Sequence, residues 1–371
     1  MPTTPMTTTA RRPTPTVTVQ ERGPNVLKPA TAPAPAMNGA AAARFGARKP
    51  NNPQLLADVK TGQKRCIALI DEVAKVIVGK RDVLELCTLN ILAGGNILFE
   101  DFPGLAKSLM AMTFSYASGC DYKRIQFTPD LLPSDITGTY IFDQKAIEFK
   151  FRPGPVFCNF LLADEINRAP PKTQSALLET MQERQVSVEG ITHKLDKPYI
   201  VLATQNPVEQ EGTYPLPEAQ NDRFLMKLSV GYPNRAEEME VLSRRAKNKV
   251  DFAKPTAVTN PKEIVAMQNT TEDIYCDPVV LQYIVEIIQR TREHPMLYVG
   301  SSPRGSLALF KLGRANALLN GRDYVIPDDV KRVGVHALHH RVILKPEPRI
   351  RGVKAGEIIQ QIINEVPVPT V

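Results

Sequence analysis

The chain predicts an α/β sandwich followed by a smaller all-helical unit, and three observations carry that reading. Short, dense apolar runs with turn signals beyond them alternate with helical stretches between residues 96 and 205. Uninterrupted runs of this kind suit parallel strands covered on both faces. After about residue 232 the strand signals largely stop and helical periodicity takes over. The 371 residues also suffice for two domains of ordinary size.

Taken in order, residues 1–50 are rich in Pro, Thr and Ala and poor in large apolar side chains. Such a segment cannot bury enough surface to offset ordering entropy, so a disordered basic tail is expected. It is also Arg-containing, hydroxyl-rich and nearly free of acids, as organelle transit peptides are. A solvated extension is the commoner explanation. Ile67, Leu69, Val73, Val76 and Ile77 fit a helix that ends in a turn at Gly79. Val83 to Leu92 fit a second, stopped by Gly94-Gly95.

Three strand-like runs follow, at 96–100, 158–165 and 198–205, with helices over Lys107 to Ser118 and Lys172 to Glu183. Function is then expected at the carboxyl ends of the strands. Residues 134–157 hold a strand-like pair turning at Asp143-Gln144-Lys145, and 185–197 a second pair turning near Glu189-Gly190. Helices are expected over Arg235 to Lys247, Pro278 to Arg292, Pro303 to Leu319, Pro327 to His340 and Ala355 to Glu365. Several open on Pro, whose missing N–H costs nothing in a first turn. The expected division is a tail over 1–50, an α/β core over 51–232 and a helical domain over 233–371.

Composition narrows the classes. The net charge of +7 points toward nucleic acid, but seven basic residues and one acid of the tail supply +6 of it. A near-neutral remainder gives no reason to expect a nucleic-acid surface on the folded part. No run of about 18 apolar residues exists, so a membrane span is not expected. The N-terminus lacks an apolar signal core, so secretion is not expected either. Five scattered cysteines form no CxxC pair and no zinc-ligand spacing, which suits reduced side chains in a cytoplasmic protein.

The run at 96–100 leads into Asp101-Phe102-Pro103-Gly104-Leu105-Ala106-Lys107-Ser108 and then a helix. A phosphate-binding loop needs this strand–turn–helix context: backbone N–H groups wrap the phosphates, Lys reaches them, and Ser/Thr ligates Mg²⁺. Lys107 and Ser108 stand in the last two places of G-x-x-x-x-G-K-[ST], but Asp101 and Ala106 occupy the two glycine places. A Cβ at Ala106 is tolerable at negative φ and costly otherwise. Taken alone, the segment suits a nucleotide loop and an ordinary β-turn-α connection with an exposed Lys equally well.

Downstream signals break that tie. Phe160 to Glu165 is an apolar strand ending in two acids, Asp164 and Glu165. One carboxylate near Mg²⁺ and the next against an attacking water is the arrangement of ATPases. The run at 198–205 ends in Thr204-Gln205-Asn206-Pro207, where an amide can orient water or the γ-phosphate. Arg223 lies 17 residues further on, and an Arg near a subunit boundary can serve a neighbour's nucleotide. Spacing alone serves a local pair with Asp222 equally well.

At these residues the chain closely resembles the MoxR family of AAA+ ATPases. The segments that carry the resemblance are EDFPGLAKS (100–108), RIQFTPDLLPSDITG (124–138), FRPGPVF (151–157), LLADEINRAPPKTQSALLETMQE (161–183), ATQNPVEQEGTYPLPEAQNDRF (203–224) and SPRG (302–305). The resemblance implies an AAA+ P-loop αβα sandwich with a helix-2 insert hairpin, followed by a small all-helical lid. It implies that Lys107 and Ser108 are the Walker A pair, Asp164 the metal-side acid and Glu165 the catalytic glutamate. By the same likeness Asn206 is sensor 1, Arg223 the arginine finger and Arg304 sensor 2, while Val78 and Gly79 lie where adenine is contacted. Asp101 agrees with the family; Ala106 departs from its usual glycine.

The implied cofactors are ATP and Mg²⁺, and the implied assembly is a homo-oligomeric ring, a hexamer. The implied work is chaperone-like remodelling or cofactor insertion on a protein client, such as one with a von Willebrand factor A domain. The two hairpins resemble pore-facing elements of related motors, with Lys145 and His193 the residues to test. Two other readings remain: a DNA-dependent motor of the helicase clade, and an ATP-gated scaffold with little hydrolysis.

Overall fold

A computed structural model describes residues 39–207, 212–250 and 254–369. The N-terminal part forms α1 (Gly39–Ala47), α2 (Pro53–Ala74) and α3 (Arg81–Leu92). Next come β1 (Ile97–Glu100), α4 (Lys107–Ala117), β2 (Tyr122–Gln126), α5 (Pro133–Thr137), β3 (Gly138–Asp143) and β4 (Glu148–Pro153). Then follow β5 (Phe160–Asp164), α6 (Pro171–Glu183), β6 (Gln185–Val188), β7 (Ile191–Lys194), β8 (Ile200–Gln205), α7 (Glu218–Asn221) and β9 (Met226–Leu228). The C-terminal part holds α8 (Arg235–Asn248), α9 (Pro261–Asp273), α10 (Pro278–Glu293), β10 (Leu297–Val299), α11 (Pro303–Leu319), α12 (Pro327–Leu338), β11 (Ile343–Leu344), α13 (Pro346–Ile350) and α14 (Ala355–Glu365).

The central sheet is parallel, in the order β2-β5-β8-β1-β9. Successive strand residues point to opposite faces. Accordingly Ile97, Phe99, Phe160, Leu162, Ile200 and Leu202 enter one apolar cluster, while Leu98, Leu161, Ala163, Val201 and Ala203 enter the other. Burial on both faces is why these runs lack polar alternation. The strands at 96–100, 158–165 and 198–205 are where the sequence suggests. β2 and β9 are additional: the first has only Ile125 buried and sits at an edge, and the second is three residues long. Neither leaves a dense apolar run to read.

The two hairpins form as expected, β3 against β4 and β6 against β7. They are joined by an aromatic stack: the Phe151 and His193 rings lie 4.0 Å apart and nearly parallel, and Tyr140 Oη is 3.3 Å from His193 Nε2. The β3–β4 tip leaves Phe142, Ile147 and Phe149 exposed.

Four expectations change. Of the tail over 1–50, residues 1–38 lie outside the described residues, but 39–47 form α1. Phe45 is fully buried, and Lys49 pairs with the buried Asp323, so this end is anchored to the C-terminal part. The first long helix stops at Ala74, leaving Val76 and Ile77 in the turn that follows. Helix α9, over PKEIVAMQNTTED, was hidden by its polar content, yet it buries Ile264, Met267 and Thr271. The apolar core also does not divide at 232/233. One cluster runs from α2 and α3 through the sheet to α9–α12 and α14.

Candidate functional site

Parallel strands bring their carboxyl ends to one edge, and the register sets what meets there. Gln126 is opposite Asp164, and Glu100 is opposite Gln205. The chain leaves β1 into 101–106 and re-forms helix at Lys107. A cleft of about 400 Å³ opens at this edge, lined by Pro103 to Leu109, Arg124, Asp164, Glu165, Thr204, Gln205 and Asn206. Lys107, Ser108, Asp164, Glu165 and Asn206 are thus brought together from two strand ends and the start of one helix.

The loop is held by its own lysine. Lys107 Nζ donates to the carbonyls of Asp101 at 2.6 Å and Phe102 at 2.9 Å. Burial pulls its pKa below the ordinary lysine value, while Asp101, Asp164 and Glu165 oppose that shift. Gly104 takes φ +81° with open space where a Cβ would stand. The branch foreseen as costly for Ala106 is the one adopted, since its φ is +56°. A left-handed non-glycine residue costs about 1–2 kcal/mol.

Asp101 does not line the cleft. Its carboxylate is buried and accepts from Ser229 Oγ at 2.6 Å, Val230 N at 2.6 Å and Gly231 N at 3.3 Å. The side chain clamps the loop to the segment between β9 and α8. Phe102 faces the same way, its ring 6.0 Å from that of Tyr232. Lys80 Nζ donates to the Tyr232 carbonyl at 2.7 Å, and Gly79 takes φ +65° beside the Glu237 side chain. Val78 and Gly79 likewise stand outside the cleft lining.

Asp164 is buried at the end of β5. Its Oδ1 accepts from Thr204 Oγ1 at 2.6 Å, and Oδ2 accepts from Ser108 Oγ at 3.2 Å. Oδ2 also accepts from Arg124 through Nε at 3.1 Å and Nη2 at 2.7 Å. Glu165 turns the chain out of the strand at φ +56°, a strained conformation for a glutamate, and its N–H donates to Thr204 Oγ1 at 2.8 Å. Its Oε2 accepts from Gln126 at 2.7 Å and Arg168 at 2.8 Å. Arg124, Gln126 and Arg168 are given no role by the sequence, and Thr204 is legible there only as part of a polar strand tip. Two of them lie on the unread edge strand, where alternation of Arg124 and Gln126 about a buried Ile125 was the available signal.

Arg223 and Arg304 are elsewhere. Arg223 Nη1 donates to the Leu178 carbonyl at 3.0 Å, and its Nε is buried without a hydrogen-bond partner. It lines a second recess, of about 520 Å³, with Ser175, Glu179, Gln182, Glu183 and Gln220. The local pair with Asp222 is not made. Asp222 instead accepts from Ser302 Oγ at 2.9 Å and pairs with the buried Arg341 at 3.4 Å. Arg304 is exposed at the start of α11, capped by that same Ser302. Both arginines therefore border the Asp222 junction and neither borders the cleft.

A five-stranded parallel sheet in this order, a Lys–Ser helix start and a strand-end acid pair define a P-loop ATPase of the AAA+ class with a helical lid. Family models agree: residues 96–226 match the ATPase family associated with various cellular activities, and 289–362 match the AAA lid domain. Chaperone MoxR1 of Mycobacterium tuberculosis is 41% identical over 85% of this chain and 85% of its own length. An uncharacterized Bacillus subtilis protein, YeaC, is 49% identical over 81% of this chain and 93% of its own. The crystal structure of a putative ATPase from Cytophaga hutchinsonii superposes with a TM-score of 0.79 at 41% identity, covering 85% of this chain and 98% of that one. The chain belongs to the MoxR family of AAA+ ATPases, and it is an ATP hydrolase.

Proposed function

We propose that this protein hydrolyses ATP at the interfaces of a homo-oligomeric ring, hexameric by resemblance, and uses the cycle to remodel a client protein. The observation that carries the reading is the separation of the machinery. Lys107, Ser108, Asp164, Glu165 and Asn206 share one cleft, whereas Arg223 and Arg304 border the Asp222 junction. A neighbour's junction brought against this cleft completes the set.

In the completed site the N–H groups of 103–108 and Lys107 hold the β- and γ-phosphates. Glu165 orients and deprotonates the attacking water, aided by the Asn206 amide. The neighbour's Arg223 and Arg304 stabilise charge on the transferred phosphoryl. Ser108 Oγ and Asp164 Oδ2, 3.2 Å apart, are hard oxygen donors of the kind Mg²⁺ uses alongside phosphate and water. When bound, Mg²⁺ neutralises charge across the two phosphates. Among the described residues no group of three or more His, Cys, Asp or Glu is placed to hold a metal, which suits an ion that arrives with nucleotide.

Kinship to a protein named a chaperone supports the client reading, and a client with a von Willebrand factor A domain enters it from the sequence resemblance alone. No helix among the described residues is long and apolar enough to cross a membrane, and the five cysteines are free. The test is complementation in trans. Arg223→Ala keeps its cleft and Lys107→Ala keeps its arginines; each alone should be inactive, and an equimolar mixture should regain ATPase activity. A mixture as inactive as its parts overturns the reading.

A further inference from the structure

Arg124 does something that a nucleotide cleft does not obviously need. It lies on β2, the edge strand, and sends both Nε and Nη2 to one oxygen, Oδ2 of Asp164. That same oxygen accepts from Ser108 Oγ at 3.2 Å. On the reading that Ser108 and Asp164 flank the metal, a reading on which this inference rests, the guanidinium stands on the carboxylate oxygen that a divalent cation would take. We propose that Arg124 is a displaceable counter-ion. It neutralises Asp164 before loading and must leave Oδ2 when the divalent ion enters.

Three features support displacement over a permanent strut. The Arg124 side chain is 52% exposed although Asp164 is 10% exposed, so one partner can swing into solvent without opening the core. A half-exposed ion pair is worth little, and a dication outcompetes it on charge alone. The carboxylate does not depend on Arg124 for its position, because Thr204 Oγ1 holds Oδ1 at 2.6 Å from the neighbouring strand. Arg124 also has another partner: Nη2 donates to Gln126 Oε1 at 2.7 Å. Gln126 in turn donates to Glu165 Oε2 at 2.7 Å. Departure of Arg124 therefore changes the hydrogen bonding one step away from Glu165.

The consequence is an order of events. A cation without nucleotide must displace Arg124 with only two protein oxygens to gain, whereas one carried on phosphates brings its own ligands. Arg124 thereby favours the metal–nucleotide complex over the free ion and is a positioning residue, not a catalytic one.

The experiment is a Mn²⁺ titration of the full chain saturated with ADP, read by the free-ion electron paramagnetic resonance signal. Arg124→Gln removes the competitor and should tighten Mn²⁺ about fivefold to tenfold. Arg124→Lys, with a single donor point, should tighten it about twofold and carries the test if the Gln variant does not fold. Unchanged or weakened Mn²⁺ binding overturns the proposal. Failure of either variant to saturate with ADP also overturns it, since Arg124 would then be a phosphate ligand. Asp164→Asn run in parallel separates the two layers. Undiminished Mn²⁺ binding there sinks the metal assignment itself, whereas lost binding there with no tightening in Arg124→Gln sinks this inference alone.

Discussion

The cleft at the strand ends and the junction around Asp222 are built on opposite principles. In the cleft every reactive side chain follows directly from a strand or opens a helix, and hydrogen bonds between adjacent strands fix it: Thr204 on β8 holds both Asp164 and the Glu165 amide. At the junction, position depends on contacts between distant parts of the chain, with Ser302 and Arg341 both gripping Asp222. The first region is rigid because parallel pairing leaves it no freedom. The second can shift whenever the lid shifts. A site divided this way lets chemistry wait on assembly.

The sharpest way to break that comparison is to disable each half. On the proposed reading Arg223→Ala lowers kcat by about 10³-fold or more while ATP affinity stays within a factor of a few. Glu165→Gln lowers it by roughly 10²–10⁴-fold and retains ATP unhydrolysed. Equilibrium binding of a fluorescent ATP analogue beside steady-state hydrolysis reads both. Loss of nucleotide binding in Arg223→Ala would place that residue in its own cleft and dissolve the contrast.

The same contrast explains what the sequence disclosed. The cleft was legible because its parts sit in short contiguous signals, a strand end followed at once by a polar residue. Arg124 and Gln126 were missed because β2 has one buried residue, Ile125, and edge strands leave no dense apolar run. Ser302 and Arg341 were missed for another reason: their partner, Asp222, lies 80 or more residues away in sequence. Helix α1 reads as tail because its composition is Ala-rich, and only the burial of Phe45 shows that it is anchored. Local chemistry reads well from sequence; long-range pairing does not.

Two stability measurements sharpen the picture further. Asp101→Gly restores the residue usual for a phosphate loop, yet it strips the partner from Ser229, Val230 N and Gly231 N. Stability should fall by about 3 kcal/mol, read from urea midpoints, because buried donors are left unsatisfied. Two histidines at the C-terminal end of α12 predict an acid effect of about 1–3 kcal/mol. Burial holds His336 down to about 4, with Arg332 adding to the shift and Asp82 opposing it, and holds His339 down to about 3, with Lys227, His336 and Arg341 adding to it. The unfolded chain protonates these rings near pH 6.5 and the folded chain does not. Their stabilising contribution is therefore complete above pH 6.5 and is lost as pH falls toward 4. Midpoints at pH 7.5, 6.0 and 5.0 should decline in that order, and a flat profile contradicts the assignment.

The smallest effect bears most directly on the loop. Ala106 holds φ +56° as the N-cap residue of α4, directly before Lys107. Ala106→Gly removes a left-handed strain of about 1–2 kcal/mol but adds chain entropy worth about 0.4–1 kcal/mol to the unfolded state. The net is a gain of roughly 0.5–1 kcal/mol, a rise in Tm on the order of 2 °C. The two glycine substitutions in one loop thus carry opposite signs, since Asp101 has partners to lose and Ala106 has only strain. A fall in Tm for Ala106→Gly would mean that the methyl group makes a contact worth more than the strain. Asp101 and Ala106 would then be the same kind of adaptation.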